Sequence, residues 1–300
     1  MPGPADALLG RCTFAPPGAQ LRCAVSGGPD SLALLALAVA AGCRVTAVHV
    51  DHGLRRGSEA EADVVAEAAA HLGAGFRAER VRIDPGPNLE ARARLARRQV
   101  LGPGVATGHT MDDQAETVLV NLLRGAGRDG LAAMRPGVEH PLLSLRRAET
   151  HSLCAALGLH PVDDPSNRDR RFLRNRVRHE LLPLCNALSG RDMVPVLARQ
   201  ARLMSEESEA LEALSADLDA TDARALSAAP PALGRRAVRR WLRAGAGYAP
   251  DAAAVERVLA VASGAVRATD VAPSTRVRRS GGRLSARPVT SPSVTGTGLR

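Results

Sequence analysis

Apolar positions in the first half of the chain fall into short runs separated by turn residues, and the runs alternate between strand-like and helix-like spacing. Leu21 to Val25 is a short apolar stretch with Arg22 facing outward, and Leu32 to Leu37 is a longer one. Between them lies Ser26-Gly27-Gly28-Pro29-Asp30-Ser31, so the segment reads as strand, glycine turn and helix. Arg44 to Val50 is a β-branched run. Ser58 and Glu61 make a capping box for a helix to about His71, with Val64, Val65 and Ala68 inward. Phe76 to Ile83 alternates as a strand, Asn88 to Leu101 has the spacing of an arginine-rich amphipathic helix, and Val105 to His109 reads as a fourth strand end. This alternation predicts an α/β fold built on a parallel, doubly wound sheet with right-handed crossovers.

The rest of the chain is patterned differently. Arg146 to Leu157 predicts a helix, and helices over about 192–217, 230–244 and 251–264 predict a smaller C-terminal helical domain. Thr275 to Ala286 reads as a terminal β-hairpin, and the Ser-, Thr-, Pro- and Gly-rich end is expected to be disordered. The expected division is a catalytic domain at 1–188, a helical substrate-binding domain at 189–268, and a hairpin with a tail at 269–300.

Composition narrows the partners. Every one of the 40 Lys+Arg residues is Arg, and the formal net charge is +9. Residues 191–300 carry 17 Arg against 11 acids, so the C-terminal third is the more basic part and a polyanionic partner suits it. Absence of Lys with abundant Ala and Gly is also what GC-rich coding produces, so charge alone does not assign that partner. Aromatics are only 2% of the chain, which leaves Arg to stack on any bases. The five cysteines (Cys12, Cys23, Cys43, Cys154, Cys185) include no CxxC pair, which argues against zinc, an iron–sulfur cluster or a disulfide framework. No signal-peptide profile opens the chain, and no apolar stretch approaches the ~18–20 residues of a membrane span. A soluble cytoplasmic protein without membrane contact is expected.

Three segments carry candidate chemistry. The turn at Ser26 to Ser31 suits a phosphate cradle: its glycines let backbone approach an anion, and the first turn of the following helix points N–H groups at it. Asp30 beside phosphates calls for a divalent cation between them and is assigned to Mg²⁺. The absence of Lys excludes the GxxxxGK[ST] loop, and Ser-Gly-Gly-x-Asp-Ser resembles instead the pyrophosphate loop of N-type ATP pyrophosphatases. An ordinary serine-capped glycine turn is the alternative. In Gly108-His109-Thr110-Met111-Asp112-Asp113-Gln114-Ala115-Glu116-Thr117, Asp113 and Glu116 share one helical face at a strand end expected beside the phosphate loop. They can hold a cation or a cationic substrate with His109 nearby, whereas Asp112 can equally be a helix-dipole partner. Six arginines between Arg168 and Arg178 are dense for a solvated face and favour anion contact.

Taken together and in order, SGGPDS, HVDHGLR, GHTMDDQAET, LLRGAG, PLL, DDPSN and RNRVRHELLP resemble the tRNA(Ile)-lysidine synthetase family over roughly residues 20–186. The resemblance implies ATP-dependent joining of free L-lysine to C2 of the wobble cytidine in the CAU anticodon of tRNA(Ile), through an O2-adenylated intermediate. It implies ATP contacts at Ser26, Gly27, Gly28, Pro29, Asp30, Ser31, Asp51, His52 and His109. It makes Arg94 a catalytic cation near the reacting centre, in a helix where Arg92, Arg97 and Arg98 crowd the same assignment. Asp113 becomes the residue that positions or deprotonates the ε-amine, and Glu116 a second lysine contact. His52 can equally be a structural loop residue. Arg174, Arg176 and Arg178 are expected to touch tRNA, as are Arg236 and Arg240 on a basic helical face whose other side, Val238, Trp241 and Leu242, packs inward. A homodimer is left open. The alternatives are a tRNA thiolase, an amide ligase of the NAD synthetase kind, and an RNA-binding protein without catalysis on the same fold.

Overall fold

The computed structural model describes residues 3–51, 59–81, 92, 96, 97, 99–162, 165–246, 250–272 and 275–288. The chain forms two compact units, Met1–Ser205 and Glu206–Arg300, divided inside one helix, Met193–Ser215.

In the first unit, strands β1 (Gln20–Ala24), β2 (Arg44–Asp51), β3 (Gly75–Arg80) and β4 (Val105–Thr107) are all parallel, in the order β3-β2-β1-β4. The chain steps outward from β1 to β3 and then returns to the other side of β1. That reversal puts a topological switch point between β1 and β4, where open α/β sheets bind ligands at the strands' carboxyl ends. Helix α1 (Pro29–Ala40) is apolar on all sides because it is covered on all sides: every residue from Ser31 to Ala38 is buried. It packs on β1 and β2 and against the helix Arg147–Ala156, and with them forms the main core. Helix α2 (Glu59–His71) buries Val65, Ala68 and Ala69 as its spacing predicts, while Val64 is half-buried. Ser58, Ile83 and most of the predicted helix at 88–101 lie outside the described residues.

Helices α3 (Met111–Leu123) and α4 (Arg147–Ala156) follow. A continuous helical run then passes from Leu173–Arg176 through a π-helical stretch, Val177–Leu181, into α5 (Leu182–Ser189). Pro183 explains the wide turn. It has no N–H, and its ring crowds the carbonyl one α-turn back, so the chain loosens its hydrogen bonding just upstream.

The second unit contains the end of α6 (Met193–Ser215), a short helix Ala223–Ala228, α7 (Pro231–Ala246) and α8 (Ala252–Ser263). Its core joins Val238 and Leu242 of α7 to Val255, Val258 and Val261 of α8 and to Val271, Val277 and Leu284 of a sheet. That sheet has three antiparallel strands, β5 (Ala268–Ala272), β6 (Thr275–Ser280) and β7 (Arg283–Pro288), one more than the predicted hairpin. Strand β5 buries Val271, too little apolar surface to announce itself in the sequence. The tail at 289–300 lies outside the described residues. Among the described residues, no helix is long and apolar enough to cross a membrane.

The basic face of α7 makes contacts within the second unit. Arg236 donates to Glu212 Oε2 at 3.2 Å and to Ser208 Oγ at 2.7 Å. Arg240 donates to Glu212 Oε1 at 3.1 Å and to the carbonyls of Ser215 and Ala216 at 2.7 and 3.2 Å. These two arginines clamp α7 to α6 and satisfy carbonyls at the end of α6, where a cation also meets the negative end of the dipole. Arg236 is largely enclosed by these contacts, whereas Arg240 keeps about a third of its side chain exposed. Exposed cations lie on the outer face of the sheet, where Arg276, Arg278 and Arg287 project and Arg276 stands directly opposite Arg287.

Gly108, just beyond β4, lets that strand's end pack closely on the first turn of α1. A Cβ there would lie 2.5 Å from the carbonyl oxygen of Asp30, 2.8 Å from its carbon and 3.0 Å from the nitrogen of Ser31. All three are backbone atoms that cannot swing aside. Gly108→Ala is therefore expected to destabilise the fold by about 2 kcal/mol or more, measured as a lower urea midpoint with an unchanged slope.

Candidate active site

The carboxyl end of β1 leads straight into the phosphate loop. Val25 still holds the sheet, donating to Val48 O at 3.0 Å, and the chain then turns through Ser26, Gly27 and Gly28. Gly27 has φ of +80°, a left-handed conformation that Gly adopts without strain, and its carbonyl accepts from Val162 N at 3.0 Å. Gly28 is the N-cap of α1, Pro29 occupies the first turn, and no side chain caps this helix. Helix N-termini of this kind are where anions bind. Ser31 shapes the loop from inside, accepting from Ser26 N at 3.1 Å and donating to Gly28 O at 2.8 Å, with the Ser26 hydroxyl 3.4 Å from its own.

Beside it, β4 delivers α3. Ala24 and Thr107 are register partners in neighbouring strands, so the acidic segment and the phosphate loop are adjacent, as the sequence predicts. Thr110 caps α3 in a capping box: Asp113 Oδ2 accepts from Thr110 N at 2.9 Å and Thr110 Oγ1 at 3.0 Å. Oδ1 of Asp113 faces the other way, with Glu116 one turn on and fully buried.

Three guanidiniums converge on these two carboxylates. Arg147 reaches Asp113 Oδ1 at 3.0 Å and Glu116 Oε1 at 3.1 Å. Arg174 reaches Asp113 Oδ1 and Glu116 Oε2, each at 2.9 Å. Arg178 takes both oxygens of Glu116, at 2.6 and 3.1 Å. Arg147 also touches the phosphate loop, its Nε 3.5 Å from Asp30 Oδ2, while the Thr150 hydroxyl donates to Asp30 Oδ1. Three acids and three guanidiniums therefore form one cluster around the switch point. Burial alone would push Asp113 up, but Arg147, Arg174, His109 and the Thr110 amide hold it at about 2. Asp30 moves the other way: burial raises its pKa, and Thr150 and Arg147 offset that only in part. His109 lies 5.6 Å from His140 between ring centroids, and burial lowers its pKa to about 4 against the pull of Asp113.

The predicted residues thus divide. Asp30, His109, Asp113, Glu116, Arg174 and Arg178 sit in or beside the cluster. Arg174 and Arg178, expected to touch RNA, are occupied by carboxylates, whereas Arg176 is exposed and near Glu180 at 3.7 Å. Asp51 ends β2, with Arg80 3.7 Å away. His52 and Arg94 lie outside the described residues. Asp112 is a structural anchor, holding Arg146 through two bonds of 3.1 Å and Arg147 N at 2.8 Å. Arg147 and Thr150 escape the sequence reading. The available signal is two consecutive arginines opening a helix, where the dipole disfavours cations unless carboxylates compensate. Among the described residues, no group of three or more His, Cys, Asp or Glu is placed to hold a metal.

A glycine loop at the switch point of a parallel sheet, opening onto an uncapped helix, defines an ATP-binding PP-loop domain, and a PP-loop domain model matches residues 9–185. A model of the TilS substrate binding domain matches residues 222–285. The tRNA(Ile)-lysidine synthase of Nocardia farcinica is 48% identical over 243 residues, 76% of each chain. That of Mycolicibacterium paratuberculosis is 46% identical over 74% of each. The chain belongs to the tRNA(Ile)-lysidine synthase family. A solved structure of the U34-tRNA thiolase NcsA of Methanococcus maripaludis, with its [4Fe-4S] cluster, aligns at a TM-score of 0.51 and 18% identity, over 67% of this chain and 77% of that one, a likeness of fold alone.

The low pKa of His109 has a measurable sign. Unfolded, this imidazole takes up a proton near pH 6.5, and folded only near 4, so the unfolded chain binds more protons in between. Its contribution to stability is complete above that window and falls as pH drops through it. His109→Gln should lose less stability than the parent between about pH 7 and about pH 4.5 in guanidinium unfolding.

Proposed function

We propose that this chain joins free L-lysine to C2 of the wobble cytidine in the CAU anticodon of tRNA(Ile), consuming ATP and releasing pyrophosphate and AMP. The observation that carries this is the placement of two buried carboxylates, Asp113 and Glu116, one strand away from the phosphate loop at the same sheet edge. One subsite suits a triphosphate and its neighbour suits an ammonium.

In the first step the cytidine O2 attacks the α-phosphorus, the bond to the β-phosphate oxygen breaks and pyrophosphate leaves. Loop amides, Ser26 and the N-terminus of α1 hold the pyrophosphate end and fix the line of attack, which is most of what phosphoryl-type transfer asks of a protein. Mg²⁺ fits here as an ion held by one carboxylate, Asp30, together with phosphates, where it would neutralise charge on the leaving group. In the second step the lysine ε-amine attacks C2, the C2–O2 bond breaks and AMP departs with that oxygen. Asp113 and Glu116 attract and orient the amine-bearing chain. The amine attacks in its neutral form and loses a further proton as the C–N bond forms, and Asp113 is the carboxylate placed to accept one; its pKa of about 2 belongs to the arrangement in which Arg147 and Arg174 still pair with it.

The cysteines disfavour the thiolase alternative. Burial raises Cys12 to about 11, Cys23 to about 12 and Cys154 to about 11, so these thiols stay protonated. Chemistry on tRNA suits a cytoplasmic protein.

Incubation with ATP, labelled lysine and a tRNA bearing CAU should place label in RNA. Asp113→Asn should cut that transfer by about 100-fold while adenylated tRNA accumulates. Loss of adenylation with lysine binding intact would assign Asp113 to ATP instead.

RNA contact by the sheet of the second unit is the part of the proposal that the exposed arginines support. Like charges directly opposite on neighbouring strands repel, and although Asp270 lies 3.7 Å from Arg276 on its other side, Arg276 facing Arg287 gains from a polyanion. Arg276→Gln with Arg287→Gln should weaken tRNA binding and flatten its salt dependence by about 1 to 2 in log–log slope. The same pair of changes should leave the free protein at least as stable to heat.

A further inference from the structure

The two buried carboxylates have no room for another cation. Each oxygen of Asp113 and Glu116 already accepts from two or three donors: Thr110 on one, and Arg147, Arg174 and Arg178 shared among the other three. A carboxylate presents about four lone-pair directions, so an arriving ammonium cannot simply add to the set. One guanidinium has to leave, and the three are not equivalent. Arg174 and Arg178 stand one turn apart on one helical run and bind this pair of acids together. Arg147 alone of the three also reaches the phosphate loop, through Asp30. It is the first residue of α4, where the helix dipole opposes its charge. A triphosphate seated beside Asp30, even with one Mg²⁺ on it, matches the charge of Asp113 and Glu116 combined and offers more oxygens, and a guanidinium is well suited to follow it.

We infer that Arg147 couples the two subsites: it covers Asp113 and Glu116 until nucleotide binds, then moves to the phosphates and frees those carboxylates for the ammonium of lysine. The coupling rests on the lysine-ligase function proposed above. It imposes an order, because the amine is admitted only once nucleotide phosphates have drawn Arg147 away. It is also reciprocal, so lysine tightens nucleotide by the same factor that nucleotide tightens lysine.

Equilibrium dialysis of labelled lysine against the full chain, with and without Mg²⁺ and an ATP analogue carrying a methylene between the α and β phosphates, reads this directly. The wild-type protein should bind lysine about 5-fold or more tightly with the analogue. Arg147→Met should bind lysine equally in both conditions, and Arg147→Lys, which keeps the charge but not the fork of donors, should keep part of the difference. Removing the guanidinium leaves three acids facing two cations, so the fold of the Met variant is checked by circular dichroism. If it fails to fold, the wild-type comparison and the Lys variant decide. Wild-type lysine affinity indifferent to the analogue, or full coupling in a folded Arg147→Met, overturns the inference. Lysine transfer to tRNA separates the two levels: transfer without coupling removes the role of Arg147 alone, whereas no transfer by the wild-type protein removes the ligase function itself.

Discussion

Burying the Glu116 carboxylate is the constraint on which the rest of the first unit depends. A carboxylate taken fully out of water costs several kcal/mol unless its oxygens are met by charged donors. No residue near it in sequence can supply them, so the chain brings them from α4 and from the helical run before α5. Those two segments are thereby fixed against α3. Asp30, on the phosphate loop, is drawn into the same account through Arg147. The ion cluster and the nucleotide loop are one electrostatic object.

Using Arg throughout gives this object particular properties. A guanidinium stays charged at any pH the protein meets, and its planar fork satisfies two oxygens at once. The cluster therefore does not loosen by titration of its cations, and its only exchangeable partners are other cations or competing anions. The cations of such a site keep their charge as pH changes, so it responds chiefly to charged ligands and to titration of its acids. In the second unit the same residue type does two separate jobs, clamping helices through Arg236 and Arg240 and facing outward on the sheet through Arg276, Arg278 and Arg287.

Much of this was legible in the sequence, for physical reasons. Short apolar runs with alternating period specify strands and helices locally, so β1, β2, β4 and α1 fall where the pattern puts them, and the adjacency of the phosphate loop and Asp113 follows from strand order alone. What the pattern does not hold is who meets whom over long separations. Arg147 lies 31 residues from Glu116 and 117 from Asp30, and nothing in a helical wheel announces either contact. The same limit explains Arg236 and Arg240: periodicity identifies their common face correctly but not that another helix already occupies it. Strand β5 was missed because one buried valine in five residues is no signal against the surrounding loops.

The π-helical stretch at Val177–Leu181 gives the helical run a further property. A π turn closes its hydrogen bonds one residue later than an α turn, so the stretch takes in about one extra residue while the residues on either side keep the orientation of a regular helix. A residue deleted there, with return to α geometry, would leave Arg174 facing the carboxylates. One deleted elsewhere in the run would turn Arg174 away by about 100°. The loosened turn is the place where this run can change length without losing its hold on the two acids.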